Sequence, residues 1–251
     1  MKLVAKTDIG NQRTENQDSY RAGRMPGGTV WAVVCDGMGG ARGGKLASSM
    51  ACAGMEEAFR AGIGAVKNSA DAAAFLRAAI NYTNTAVYNK SLTSPAVRGM
   101  GTTVVCAIVK SNAVQYAHVG DSRIYLFHKK ALFQLTKDHS MVQELIEQGT
   151  ITEEESYSHP QKNLITRALG VSQDVQPDCG EVALSDGDVL LLCSDGLSNY
   201  VTADEIVEVL EHVPFYEMAD ALVEKALQAG GLDNITVLLV GVEQPEEEKN
   251  G

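Results

Sequence analysis

The sequence predicts an α+β fold in which antiparallel strands are covered on their outer faces by paired helices, within one domain over residues 1–243. Three observations carry this. β-rich runs recur along the chain, at 30–35, 102–109, 113–119, 123–128, 131–135, 188–193 and 235–242. The links between the central runs are about three residues long, too short for the dozen or more residues of a parallel crossover. Helical patterns come as one pair before that central block and one pair after it, so each pair has sheet to pack against.

Taken in order, Val30-Trp31-Ala32-Val33-Val34-Cys35 is a continuous apolar run rich in β-branched residues, which reads as a strand. Helical spacing follows at 43–61 and 70–90; in the second, Leu76, Ile80, Thr83 and Val87 repeat at i, i+4, i+7 and i+11. The runs at 102–109, 113–119, 123–128 and 131–135 are joined by links such as Lys110-Ser111-Asn112 and Gly120-Asp121-Ser122, which predicts an antiparallel meander. Residues 138–168 are mostly polar, with short amphipathic stretches at 141–148 and around 152–157; a segment of this kind reads as a flap. The Asp186-Gly187 turn introduces the strand at 188–193, helices at 204–212 and 216–229 form the second pair, and 235–242 is the last strand. The polar residues 244–251 are expected to be a frayed tail.

The charge sum of 21 − 32 = −11 and a pI near 4.9 make the surface repel phosphate backbones and anionic lipid, which argues against nucleic acid as a partner. Met1–Asp8 contains no apolar leader region and no segment approaches the length of a membrane span, so a cytoplasmic protein without membrane insertion is expected. Cys35, Cys52, Cys106, Cys179 and Cys193 are an odd set without a C-x-x-C pair, and three lie in strand-like runs. They read as buried free thiols in a reducing compartment.

The chemistry is concentrated where strands end. Asp36 follows the 30–35 run, Asp121 follows 113–119, Asp195 follows 188–193 and Asp233 precedes 235–242. In an antiparallel core such residues can meet at one edge. All-oxygen ligands without His or Cys favour Mg²⁺ or Mn²⁺ over zinc, and a glycine after the ligand lets its backbone approach an ion.

Arg13-Thr14-Glu15-Asn16-Gln17-Asp18, Asp36-Gly37-Met38-Gly39-Gly40, Gly99-Met100-Gly101-Thr102-Thr103, Gly120-Asp121-Ser122-Arg123, Ser194-Asp195-Gly196-Leu197 and Asp233-Asn234-Ile235-Thr236 occur in that order. From about Lys2 to Val242 the chain resembles the bacterial protein phosphatases 2C, the PPM class of metal-dependent Ser/Thr protein phosphatases. The resemblance implies an α-β-β-α sandwich, with two central antiparallel β-sheets flanked by α-helices. It also implies hydrolysis of phosphoserine and phosphothreonine by a metal-activated water attacking phosphorus in line, with no phosphoenzyme intermediate.

The same resemblance implies that Asp36 bridges two Mn²⁺ or Mg²⁺ ions with the Gly37 carbonyl as a further ligand. Asp195 and Asp233 would hold the first ion, Asp18 would act on the second, and Asp121 with Asp195 would form a third site. Arg13 matches the phosphate-binding arginine, whose planar guanidinium can grip two phosphate oxygens. Expected partners are phosphorylated Ser/Thr proteins and a cognate Ser/Thr kinase, with the enzyme a monomer.

Two departures stand out. Met38 occupies the place of a histidine proposed as general acid in many eukaryotic members, which leaves His139 and His159, both in the 138–168 excursion, as the first alternatives among five histidines. Gln17 replaces a glutamate, and that would pass metal binding there to Asp18. The completed aspartate set argues for an enzyme rather than a phosphoprotein-binding module, and the lack of a basic or aromatic platform argues against a nucleic-acid phosphoesterase.

Overall fold

A computed structural model describes residues 1–38, 40–110, 112–156 and 158–243; Gly39, Ser111, Tyr157 and the expected tail 244–251 lie outside the described residues. Two five-stranded sheets form the centre. The first has the order β1 (Lys2–Asp8), β12 (Ile235–Gly241), β11 (Val189–Cys193), β8 (Arg123–His128), β9 (Ala131–Gln134). The second runs β10 (Asp178–Ala183), β7 (Ala113–Val119), β6 (Val104–Lys110), β3 (Val30–Cys35), β2 (Ser19–Arg24). A short ladder joins β4 (Gly37–Met38) to β5 (Gly101–Thr102), and every pairing of these strands is antiparallel.

The central strands read as unbroken apolar runs because both of their faces are covered. In β3, Val30, Ala32 and Val34 point between the sheets, where they meet Val105, Ile124, Leu190, Leu192 and Leu238. The alternate residues Trp31, Val33 and Cys35 pack under α1 (Gly40–Gly62) and α2 (Ser69–Ser91), and Trp31 stacks on Phe59 with centroids 5.1 Å apart. On the opposite flank Leu191, Val237 and Leu239 pack against Ile206 and Val209 of α6 (Ala203–His212) and Leu222 and Val223 of α7 (Met218–Gln228). The layers are therefore helix, sheet, sheet, helix, as the sequence predicts. Asn68 caps α2 through the backbone N–H of Asp71, and Thr202 with Glu205 closes a capping box on α6.

The predicted meander is not continuous. β6 and β7 belong to the second sheet, whereas β8 and β9 belong to the first, so Gly120-Asp121-Ser122 carries the chain from one sheet to the other. Gly120 allows this with φ +107 and with its Cα so close to Thr103 that a Cβ would fall 2.6 Å from the threonine side chain. The run at 102–109 likewise breaks at Thr103 between β5 and β6, and 216–229 begins as a 3₁₀ turn, Phe215–Glu217, before α7.

Sequence patterning misses β1, β2 and β10, and all three are edge strands. With only one neighbour and a partly wet face, each carries charged residues that dilute the β signal. The excursion contains α3 (Met141–Glu147), capped by Ser140, and α4 (Glu153–Ser156), and the short α5 (Asp195–Ser198) follows β11. All five cysteines are free thiols; four are buried, while Cys179 on the edge strand β10 is half-buried.

Candidate metal centre

A cleft of about 490 Å³ opens where β3 and β11 end and β12 begins, and its lining includes Arg13, Asp36, Gly37, Asp121, Asp195 and Asp233. Asp36 is fixed through its backbone. The Asp36 N–H donates to Thr103 Oγ1 at 2.9 Å, and its carbonyl accepts from the Thr103 N–H and the Thr102 hydroxyl, each at 2.8 Å. Thr103 is itself held by Ser122, with their hydroxyls 2.7 Å apart, which ties the Asp36 and Asp121 turns together. Gly37 sits against the Gly44 carbonyl at a separation no side chain could share, and Gly196 stands equally close to the Asn234 carbonyl. The second contact locks the Asp195 turn onto the Asp233 turn.

Asp18 lies beneath the wall of the cleft and is 2% exposed. Its Oδ2 accepts from Ser194 Oγ at 2.7 Å, and Ser194 Oγ in turn accepts from the Thr236 N–H at 2.9 Å. Asp195 Oδ2 accepts from Asn199 Nδ2 at 3.0 Å, and Asp233 Oδ1 from the N–H of Asn234 at 2.8 Å. Asp18 Oδ1 and Asp195 Oδ1 are buried without a hydrogen-bond partner among the described residues.

Arg13 is carried by the loop between β1 and β2, and Asn234 holds that loop. Asn234 Nδ2 donates to the carbonyls of Ile9 (2.9 Å) and Glu15 (3.0 Å), while its Oδ1 accepts from the Gln17 N–H at 2.8 Å. The guanidinium then reaches Asp233 Oδ2 at 2.7 Å from a half-exposed position. Gln17 also lines the cleft. Ser194, Thr103 and Asn234 all stand inside the motifs read from sequence, yet their positioning roles emerge only from these contacts.

The electrostatics of the floor are unbalanced. Arg13 is the one cationic side chain among the described residues of the lining. Burial, reinforced by the charges of neighbouring aspartates, lifts Asp36 and Asp195 well above the usual carboxylate range. Burial likewise raises Asp18 and Asp121 to about 6. Crowded carboxylates, two orphaned buried oxygens and a donor set of oxygen alone suit hard divalent cations.

The histidine alternatives stand elsewhere. His139 is buried at the root of the excursion, where Nδ1 accepts the Gly120 N–H at 3.2 Å; Nε2 must then carry the proton and donate to Asp178 Oδ2, also 3.2 Å away. Its ring stacks on His118 with centroids 4.6 Å apart. His159 accepts from the Gln161 N–H at 3.2 Å within the excursion. Neither is among the residues lining the cleft, whereas Met38 is.

Residues 10–230 match the sequence pattern of the family described as protein phosphatase 2C. The chain is 40% identical over 254 residues to the protein phosphatase PhpP of Streptococcus pneumoniae, covering 99% of this chain and 100% of that protein. A solved serine/threonine phosphatase of S. agalactiae superposes with a TM-score of 0.89 at 36% identity, covering 96% of this chain and 99% of the other. The catalytic domain of the serine/threonine protein phosphatase PstP, solved in complex with two manganese ions, superposes with a TM-score of 0.84 at 36% identity over 97% of this chain and 98% of that one.

Proposed function

The chain belongs to the protein phosphatase 2C family and is a serine/threonine protein phosphatase, and from that premise we propose that it hydrolyses phosphoserine and phosphothreonine with two Mn²⁺ or Mg²⁺ ions held at the cleft floor. The observation that carries this reading is the convergence of aspartates from both sheets around one cleft, with buried carboxylate oxygens left unpartnered. Asp36 would serve both ions with the Gly37 carbonyl as a further ligand, Asp195 and Asp233 would hold the first ion, and Asp18 would serve the second. Asp121 with Asp195 would offer a third position. The manganese pair belongs to the PstP structure and supports the same count for this chain.

When bound, such ions supply a water acidic enough to attack phosphorus in line and offset charge on the phosphoryl oxygens. The rest falls to the chain's own residues. Arg13 spends one N–H on Asp233, from an exposed position, and its fork retains donors for two phosphate oxygens. Thr102 and Thr103 fix the Asp36 backbone, so the carboxylate is aimed before substrate arrives. No histidine stands among the described residues of the lining, so no imidazole there is placed to protonate the leaving alkoxide. The substrates are phosphoproteins, a Ser/Thr protein kinase is the counter-player that makes them, and the enzyme acts as a monomer.

The test is hydrolysis of a phosphothreonine peptide with added Mn²⁺, with and without chelator. Turnover is expected to require the ion, and Asp36→Asn is expected to lower kcat by about three orders of magnitude or more, since it removes one unit of ligand charge at the bridging position. Full activity in the Asp36→Asn protein, or in chelator, would sink the assignment.

A further inference from the structure

We propose that Met38, Val171 and Ile165 form an apolar ledge beside the phosphate site, which selects phosphoproteins carrying an apolar side chain next to the phosphorylated residue. The proposal rests on the phosphatase reading above and extends it to substrate choice. Met38 and Ile165 line the cleft, whereas Val171 stands just outside it and is 50% exposed. Met38 is 36% exposed. Two large apolar side chains left open at a cleft mouth offer a substrate side chain apolar surface to cover.

The ledge is assembled from three parts of the fold and is fixed in place. Met38 pairs with Gly101 in the β4–β5 ladder. Thr102, the next residue, exchanges both backbone hydrogen bonds with Leu169, at 3.0 and 2.9 Å, and this anchors the chain leaving the excursion two residues before Val171. The Met38 and Val171 side chains converge above Gly101, where a Cβ would lie 2.9 Å from Val171 Cγ2 and 3.4 Å from Met38 Cγ, and Ile165 adds apolar surface within the cleft lining. Glycine at 101 therefore leaves a notch between them.

The occupant follows from distance and charge. Met38 stands two residues beyond Asp36, a span of roughly 6–7 Å in extended chain. That is the reach from a phosphorylated residue, held over Asp36, to a side chain one or two positions along an extended substrate. Methionine is flexible and polarisable and can fit side chains of differing shape. An acidic neighbour would have to lose water against the ledge on a chain of net charge −11, so acidic flanks are disfavoured while apolar ones are favoured.

Phosphothreonine peptides with Leu, Gly or Glu beside the phosphoresidue, assayed with Mn²⁺, test this. The wild type should prefer the Leu peptide over the Gly peptide by about fivefold to tenfold in kcat/KM, mostly through KM, with the Glu peptide last. Met38→Gln and Val171→Ser should each bring the Leu:Gly ratio towards one. Val171→Lys should lift the Glu peptide above the Gly peptide, and this variant lies outside the cleft lining should Met38→Gln fail to fold. A wild-type Leu:Gly ratio near one, or wild-type ratios retained in both Met38→Gln and Val171→Ser, would overturn the ledge while leaving the phosphatase reading intact. Absence of metal-dependent turnover of all three peptides would overturn both.

Discussion

At the cleft floor Asp36, Asp121, Asp195 and Asp233 face one arginine, and two buried carboxylate oxygens have no partner among the described residues. At the root of the excursion, a short way along the chain, Arg123 grips Asp138 in a fork, Nε to Oδ1 at 2.9 Å and Nη2 to Oδ2 at 2.7 Å, and also reaches the Tyr125 hydroxyl at 3.1 Å. Asp178 there is shared between Arg167 and His139, each at 3.2 Å. Both regions are rich in charge. One pairs it internally and so holds a shape; the other leaves negative charge for an external cation. The Arg13–Asp233 pair lies between these cases, because its single exposed contact can be exchanged for another anion.

The contrast can be broken most forcefully at Arg123–Asp138. Asp138→Ala leaves a largely buried guanidinium without its carboxylate and is expected to cost about 2–4 kcal/mol in chemical denaturation. The double change Arg123→Met with Asp138→Leu should recover most of that loss. A negligible effect of Asp138→Ala would show that the root does not depend on paired charge.

Asn234→Ala comes next, because it removes three hydrogen bonds that hold the Arg13 loop. About 2–3 kcal/mol of stability should be lost, and the rise in KM for phosphopeptide should exceed that of a variant equally destabilised elsewhere. Asp36→Asn should have the opposite sign on stability. Relieving repulsion at the floor is expected to raise the midpoint of the metal-free protein by roughly 2–4 °C, corresponding to about 1 kcal/mol, even as activity disappears.

The contrast also predicts a pH dependence. Asp18 and Asp121 have folded-state values raised to about 6 from 3.8, so in the absence of metal the folded chain binds more protons than the unfolded chain between those values. Their contribution to stability is therefore complete below about pH 4 and is lost as pH rises through 6. Thermal melts of chelated protein should show a lower midpoint at pH 7 than at pH 5, and Mn²⁺ should reverse that order. Equal pH trends with and without Mn²⁺ would mean that the floor carboxylates do not meet the ion.

Much of this arrangement is legible in the sequence because the central strands are covered on both faces. Val30–Cys35 and Val189–Cys193 must be apolar at every position, so they read plainly, and an aspartate at the end of such a run can only lie at a sheet edge. The edge strands β1, β2 and β10 are less legible, since a strand with one neighbour can keep polar side chains. The orientation of His139 is illegible for a related reason: membership of the excursion says nothing about which way a side chain turns, and this one turns inward to Gly120 and Asp178.

The sequence by itself determined the apolar central strands, their helical cover and the placing of aspartates at strand ends, because burial on two faces and turn chemistry are local requirements written residue by residue. The tertiary structure alone decided which sheet each hairpin joins, that Arg13 rests on Asp233, and that Ser194 joins Asp18 to Thr236. Those facts depend on contacts between residues as many as 220 positions apart, and no local pattern encodes such a meeting.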